Sequence, residues 1–464
     1  MTQDQSEKAK RIPVSSHVLY ADYSKSSKTL VKGKGVYVYD VEGNQYLDAI
    51  GGVGVVNVGH GIPEIVDAIA DQAGRLAFSY SGNSENEPRH NLAEILNAWA
   101  PHGMRETKTL FCSGGAEANE AALKLAYQYH WERGNRSKRK IVGRWQSYHG
   151  NTVGALSMSG RTSWRRMHDP YLLSFPHIPP PYCYRCPWKL SYPECGMECT
   201  RELRRVICQE GAENVAAFIA EPVIGTSLSA VVPPPEYYRS IREICDEFDV
   251  LFIADEVMSG IGRTGLNWGI EHWQVVPDII TTAKGIAGGY AALGATILCE
   301  KVWRAIADGS GKPMHSYTYG GNPLSCAAGV AVLRYIEENK LISRVAQMGD
   351  KLLLRLHATL DDLSCVGDIR GKGFFLGIEI VADKKSKAPF PPEWDVTHLI
   401  ESVALKNGLF ILGGVTGLID GVGGDHIELL PPFIIEDQHI DFIARTLRHT
   451  LETVISGRSD GNRS

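Results

Sequence analysis

From about residue 75 to 330, short apolar, β-branched runs alternate with stretches whose apolar positions recur every three or four residues. IVGRW (141–145), AAFIAEPV (216–223), VLFIADEV (250–257), DIITTA (278–283) and LGATILC (293–299) are predicted strands. Their continuous apolar character, without alternation, suits strands buried on both faces. Residues 116–133 and 235–248 have helical spacing. Ala118, Ala122, Leu125, Ala126 and Tyr129 share one face, and Gly134 ends that helix. Strands alternating with helices predict an α/β fold with a mostly parallel sheet covered on both sides.

The flanks read differently. Residues 1–17 are polar and expected to be loosely ordered. Residues 33–50 predict a β-hairpin, with Tyr37, Tyr39 and Val41 alternating toward a turn at Glu42-Gly43-Asn44. The glycine-rich run at 51–61 fails the dinucleotide fingerprint because Asn57 holds its sixth place, so it reads as a structural turn. Beyond about 340 the pattern predicts a helix, a strand set at 371–381, and helices near 395–407 and 437–456, a second and smaller α+β unit.

Composition narrows the function classes. The 464 residues leave room for about three domains, or fewer around one large α/β core. A net charge of −5 argues against a nucleic-acid surface, which needs a basic excess. Ten cysteines are too few for a disulfide scaffold, and the first residues lack an apolar leader core. Glu221 and Asp420 interrupt the most apolar stretches, so no membrane span is expected. These features predict a soluble cytoplasmic enzyme. The 48 glycines exceed the roughly 7% of an average protein and point to tight turns or close backbone approaches.

The candidate chemistry lies at strand ends, where ligands of open parallel sheets bind. VLFIADEV carries Asp255 and Glu256 at its end, and DIITTAK ends at Lys284. A lysine there suits a nucleophile that forms Schiff bases, and a nearby acid suits a pyridinium partner. A surface lysine and a capping aspartate are the plainer alternative. CSGGAEANEAALK (112–124) adds a glycine turn opening into a helix, whose free amides and positive dipole end favour phosphate.

Taken in order, GGAEANEAALK, YHGNT, AEPV, ADEVMSGIGRTG, TTAKG, YTYGGNPLSCAA and RGKGFFLGIEI resemble the class III (subgroup II) aminotransferases of pyridoxal phosphate (PLP) fold type I. The wording is nearest to the ω-amine:pyruvate and taurine:pyruvate branch, and the likeness runs from about residue 18 to 455. It implies an aspartate-aminotransferase-like fold whose large domain holds a mostly parallel seven-stranded sheet. Residues 1–74 and 336–464 would build a small α+β domain, and 75–335 the PLP-binding domain, with a Cys-rich insert at 181–200. It further implies a homodimer, or a tetramer built from it, with active sites at the subunit interface. By the same resemblance Lys284 is the Schiff-base lysine and proton carrier, and Asp255 pairs the pyridine nitrogen. Val257 and Tyr148 flank the ring, and Gly115 and Ala116 offer amides to the phosphate. Glu221 lines the cofactor's 3′-oxygen side, and Thr318 reaches the neighbouring subunit's phosphate. His149 is either a cofactor contact or a structural histidine, and Glu117 reads as structural. Gly114 replaces the family's usual serine, removing one hydroxyl from the phosphate site.

The implied reaction moves an amino group from a primary amine or ω-amino acid to a small 2-oxo acid such as pyruvate, by a ping-pong course through pyridoxamine phosphate. Met258, where ornithine and γ-aminobutyrate enzymes carry glutamine, favours this branch. The run 413–433 has no arginine to grip an acceptor carboxylate, so either another arginine substitutes, with Arg144, Arg165 and Arg166 as candidates, or the substrate is not a simple α-amino/α-keto acid pair. Gly51, Gly52 and Gly54 suggest a roomy pocket. Cys183, Cys186, Cys195 and Cys199 form C-x2-C-x8-C-x3-C, which suits metal, free thiols or disulfides alike, while the other six cysteines read as small buried hydrophobes. Two rival readings are an amino-acid racemase or epimerase on the same fold, and a non-catalytic protein holding metal at the cysteine cluster.

Overall fold

The computed structural model describes residues 17–19, 28–104, 106–414 and 417–459; all of the polar start except His17 lies outside them. A seven-stranded sheet forms the centre. Its spatial order is Lys108–Cys112, Gly294–Leu298, Ile279–Thr282, Leu251–Asp255, Val215–Ala220, Lys140–Arg144 and His177–Ile178. Gly294–Leu298 runs antiparallel to both neighbours, and the other pairings are parallel. All five predicted strands are present. Four of the five inner strands, 215–220, 251–255, 279–282 and 294–298, are buried along their whole length, as continuous apolar runs require. Phe218 and Phe252 stack across adjacent strands at 6.2 Å, and Tyr238 packs on Phe252 at 5.7 Å.

Two strands were not anticipated. Lys108–Cys112 is an edge strand with a partly exposed start, so KTLFC lacks the apolar continuity that marked the inner strands. His177–Ile178 has two residues, too few for any periodic signal. The helix Gly115–Glu132 buries Ala118, Ala122, Leu125, Ala126 and Tyr129 as predicted, and Gly134 follows it at φ 83°. Tyr237–Glu247 covers the sheet between two parallel strands.

Two four-stranded sheets flank this centre. One contains the predicted hairpin, Tyr37–Asp40 against Gln45–Asp48, with Leu30–Lys34 on one side and Leu409–Phe410 on the other. Asp40 shapes the turn by accepting from the amides of Glu42 and Asn44. The other pairs Val366–Lys372, Phe375–Ile380, Asp425–Leu429 and Leu412–Gly413 antiparallel. Helices Leu341–Leu360, Val396–Lys406 and Asp437–Ser459 accompany them, near the expected positions.

The cysteine-bearing segment is tied to the C-terminal sheet through charge. Tyr182 and Arg185 both bond to Glu379, which is wholly buried on the strand Phe375–Ile380. Arg370 donates to Glu379 and Asp368 and to the carbonyls of Leu228 and Ser229. Burial would raise the Glu379 carboxyl, but Arg370, Tyr182 and Arg185 hold it below the usual range.

Candidate active site

Every parallel strand of the central sheet delivers its carboxyl end to one edge, where the chain can leave the hydrogen-bond ladder and aim side chains into a cleft. Lys108–Cys112 leads into the Ser113-Gly114 turn, and Lys140–Arg144 into Tyr148 and His149. Val215–Ala220 is followed by Glu221, Leu251–Asp255 ends on Asp255, and Ile279–Thr282 leads to Lys284. Residues up to 171 positions apart in sequence therefore share one edge, and the sequence-derived site residues converge, with Thr318 excepted.

Asp255 is almost fully buried and held from three sides. Its Oδ2 accepts from Asn119 Nδ2 at 2.8 Å and lies 2.7 Å from His149 Nδ1, while its Oδ1 accepts from the Val257 amide at 3.1 Å. Asn119 is itself fixed, donating to His149 O and accepting from Thr281 Oγ1, each at 2.7 Å. His149 is thus a positioning neighbour of Asp255, and its Nε2 is buried without a partner. Asn119 was missed in the sequence. Its signal was a polar residue on the otherwise apolar face of Ala118, Ala122 and Leu125.

The helix Gly115–Glu132 begins without a side-chain cap, so its first amides are free to meet an anion, with the dipole in support. Two close approaches shape this start. A Cβ on Gly115 would lie 2.9 Å from Val257, and one on Gly150 would lie 2.6 Å from the Ala116 methyl. Val257 and the Tyr148-His149-Gly150 segment therefore pack directly on the turn. Glu117 accepts from the Ser113 amide at 2.7 Å, a structural role. Gly114 is extended at φ −176°, and a Cβ there would meet open space.

Lys284 sits in the left-handed region at φ 47°, an uncommon conformation for a side chain other than glycine. Asn57, from the glycine-rich N-terminal run, donates to the adjacent Gly285 carbonyl at 3.0 Å. Burial lowers the Lys284 amine to about 8, with Glu428, Asp255 and Glu221 pulling it back up. Glu221 is buried, and burial raises its carboxyl against the opposing pull of His149 and Arg144. Tyr148 is half-buried, edge-on to Trp164 at 5.4 Å, with Arg161 5.6 Å from its ring centre.

Thr318 is exposed, and its neighbour Tyr317 donates to Glu117 O at 2.8 Å. Of the three arginines considered for carboxylate binding, two are committed elsewhere and the third is exposed. Arg144 is fully buried against Glu221 O and Tyr238, Arg165 donates to the carbonyls of Leu156, Ser157 and Ser159, and Arg166 is exposed. Arg161, which sequence reasoning passed over, is the guanidinium facing Tyr148. Gly51, Gly52, Val53 and Gly54 turn through left-handed conformations, and Gly54 faces Met258 and Leu430.

The four clustered cysteines are free and line one small pocket with Tyr182, Tyr192 and Pro234. Among the described residues no group of three or more His, Cys, Asp or Glu side chains is arranged to hold a metal. Of the other six cysteines, Cys112, Cys245, Cys326 and Cys365 are buried as expected. Cys299 is half-buried, and Cys208 is exposed.

A mixed α/β fold around this sheet, with its side chains gathered at one edge, is that of fold type I transaminases. The (S)-enantioselective ω-transaminase of Thermomicrobium roseum superposes with a TM-score of 0.88 at 34% identity, over 95% of this chain and 96% of that one. Residues 20–451 match the family Aminotransferase class-III, and the chain belongs to that family. The uncharacterized aminotransferase YodT of Bacillus subtilis is 37% identical over 95% of this chain and 98% of its own length. The putrescine–pyruvate aminotransferase of Pseudomonas aeruginosa is 34% identical over 93% of each. Among the described residues no helix is long and apolar enough to cross a membrane.

Proposed function

We propose that the chain is a PLP-dependent transaminase that moves an amino group from a primary amine or ω-amino acid to a small 2-oxo acid, pyruvate first among them. The observation that carries this is the convergence of Lys284, the triply held Asp255 and the uncapped helix start on one sheet edge. The donor set fits the cofactor. The amides of Gly115 and Ala116 would hold its phosphate, Asp255 its ring nitrogen, Val257 and Tyr148 its two ring faces, Glu221 its 3′-oxygen side, and Lys284 its carbonyl carbon. PLP supplies, when bound, the carbonyl that takes the donor's amine and a ring that withdraws electrons from the amine-bearing carbon.

The protein's part is positioning and proton transfer. Lys284 Nζ would take the proton from the amine-bearing carbon of the donor and hand it to the cofactor's carbonyl carbon, and would carry a proton the opposite way in the acceptor half. Its lowered pKa places a substantial neutral fraction near neutral pH, which a nucleophile and base needs. Asp255 stays buried beside His149 and Asn119, so its carboxylate is aimed before the cofactor arrives. Thr318, exposed on its own subunit, is suited to complete the phosphate site of a second copy, which makes the working unit a homodimer. The expected location is the cytoplasm. Mixing holoenzyme with an amine donor alone should bleach the cofactor's long-wavelength absorbance, and adding pyruvate should restore it with release of alanine. Persistence of the absorbance with every amine tested would overturn the reading.

A further inference from the structure

The reaction proposed above makes no use of the C-x2-C-x8-C-x3-C segment. Its four thiols are free and border one pocket, and no group among the described residues is arranged to hold a metal. The backbone sets one pair of them apart. Cys183–Arg185 form a 3₁₀ turn, closed by the Arg185 amide donating to Tyr182 O at 3.1 Å. Cys186 follows at φ −56°, so its Cβ continues the same helical path. In a 3₁₀ helix side chains three apart eclipse each other, and three rises of about 2.0 Å put their Cα atoms about 6 Å apart. That spacing falls inside the ~4.4–6.8 Å window of a disulfide. Cys195 and Cys199 have no such relation. Gly196 and Met197 between them are both left-handed, at φ 59° and 58°, and Cys199 already lies in the helix Glu198–Glu210.

The turn is braced by groups other than its thiols. Tyr182 before it and Arg185 within it both bond to the buried Glu379, and Lys387 Nζ donates to Tyr184 O at 2.6 Å. Cys183 is exposed, and Cys186 is half-buried. Burial raises the Cys183 thiol, and its neighbours Cys186 and Cys195 add to the rise, because like charges would face each other if these sulfurs ionised. Joining two of the sulfurs removes that repulsion.

We propose that Cys183 and Cys186 form a reversible dithiol–disulfide site, oxidised by a low-molecular-weight disulfide and reset by a thiol reductant. Cys183, the exposed thiol, loses its proton, and its sulfur attacks one sulfur of the small disulfide. The first small thiol leaves, and a mixed disulfide remains on Cys183. The Cys186 sulfur, its proton lost in turn, attacks the Cys183 sulfur, closing the protein disulfide and expelling the second small thiol. In all, the two cysteines give up two protons and two electrons, and the small disulfide takes them up as two thiols. The site stands apart from the transaminase reading and survives if that reading fails.

The test equilibrates the full chain with mixtures of reduced and oxidised glutathione, blocks the remaining thiols with iodoacetamide, and maps non-reduced tryptic peptides by mass. Trypsin cuts after Arg185, so Cys183 and Cys186 fall on separate peptides, 167–185 and 186–189, while Cys195 and Cys199 share 190–201. The oxidised protein should yield 167–185 joined to 186–189, and dithiothreitol should separate them. The folded turn holds the two sulfurs together, so half-oxidation should come at a [GSH]²/[GSSG] ratio about tenfold higher than in urea. Cys186→Ser should leave glutathione on Cys183, and Cys195→Ser should leave the link between the two peptides unchanged. A link to 190–201 in place of that one would overturn the proposal, as would four thiols that stay open to iodoacetamide at every mixture. So would equal midpoints in urea and in the folded chain, or thiols that react only after a chelator has removed a metal. The wild-type peptide map carries the test even if a serine variant fails to fold.

Discussion

A lysine amine in water is protonated at neutral pH and is then no nucleophile. At position 284 the fold changes this by burial, and the nearby carboxylates of Glu428, Asp255 and Glu221 limit the drop. The apoprotein's rate of PLP capture, followed by absorbance, should therefore climb with pH up to about 8 and level off above it. The sign follows from the reacting form: the neutral amine becomes more abundant as pH rises and saturates once its lowered pKa is passed. An unshifted lysine would give a rate still climbing toward 10.5. Lys284 and Asp255 could be singled out from the pattern because a strand end and a charged residue coincide within a few positions at each, whereas Glu221 came only from the family resemblance. Asn119 and Glu428 were not legible, because the groups they act on, Asp255 and Thr281 for the first and Lys284 for the second, lie on distant segments. Glu428 left one trace, a lone acid within the apolar run IELLPPF.

Between elements, the buried cluster of Arg370, Glu379, Tyr182 and Arg185 joins the cysteine-bearing segment, the turn at Leu228 and Ser229, and the C-terminal sheet. Removing one member of such a cluster leaves an uncompensated charge, which costs more than the lost contact itself. Arg370→Ala should lower unfolding free energy by about 3–5 kcal/mol in urea titration, since Glu379 stays buried without its main counter-charge. Arg370→Ala combined with Glu379→Gln should recover part of the loss. This level was only partly readable from the sequence. The inner strands were, because burial on both faces leaves a continuous apolar run. The edge strand Lys108–Cys112 and the links from the cysteine segment were not, because edge exposure erases the pattern and a charge cluster has no periodicity.

For the whole molecule, Phe78, Tyr80 and Tyr319 expose large apolar surfaces, and Thr318 lies beside them in sequence or space. Such surface suits a subunit contact. If Thr318 serves the neighbour's phosphate, Thr318→Ala and Lys284→Ala subunits should each have low activity alone and recover it when mixed and reassembled. In the mixed dimer the subunit that keeps Lys284 receives Thr318 from its partner, giving one intact site. Failure of the mixture to exceed either parent would place Thr318 outside the site. The central claim, that one sheet edge builds a PLP transaminase site around Lys284, has a more direct test. Borohydride reduction of the holoenzyme followed by peptide mass spectrometry should find the cofactor fixed to the peptide containing Lys284, in about one copy per chain. A cofactor fixed at another lysine, or at none, would contradict the account.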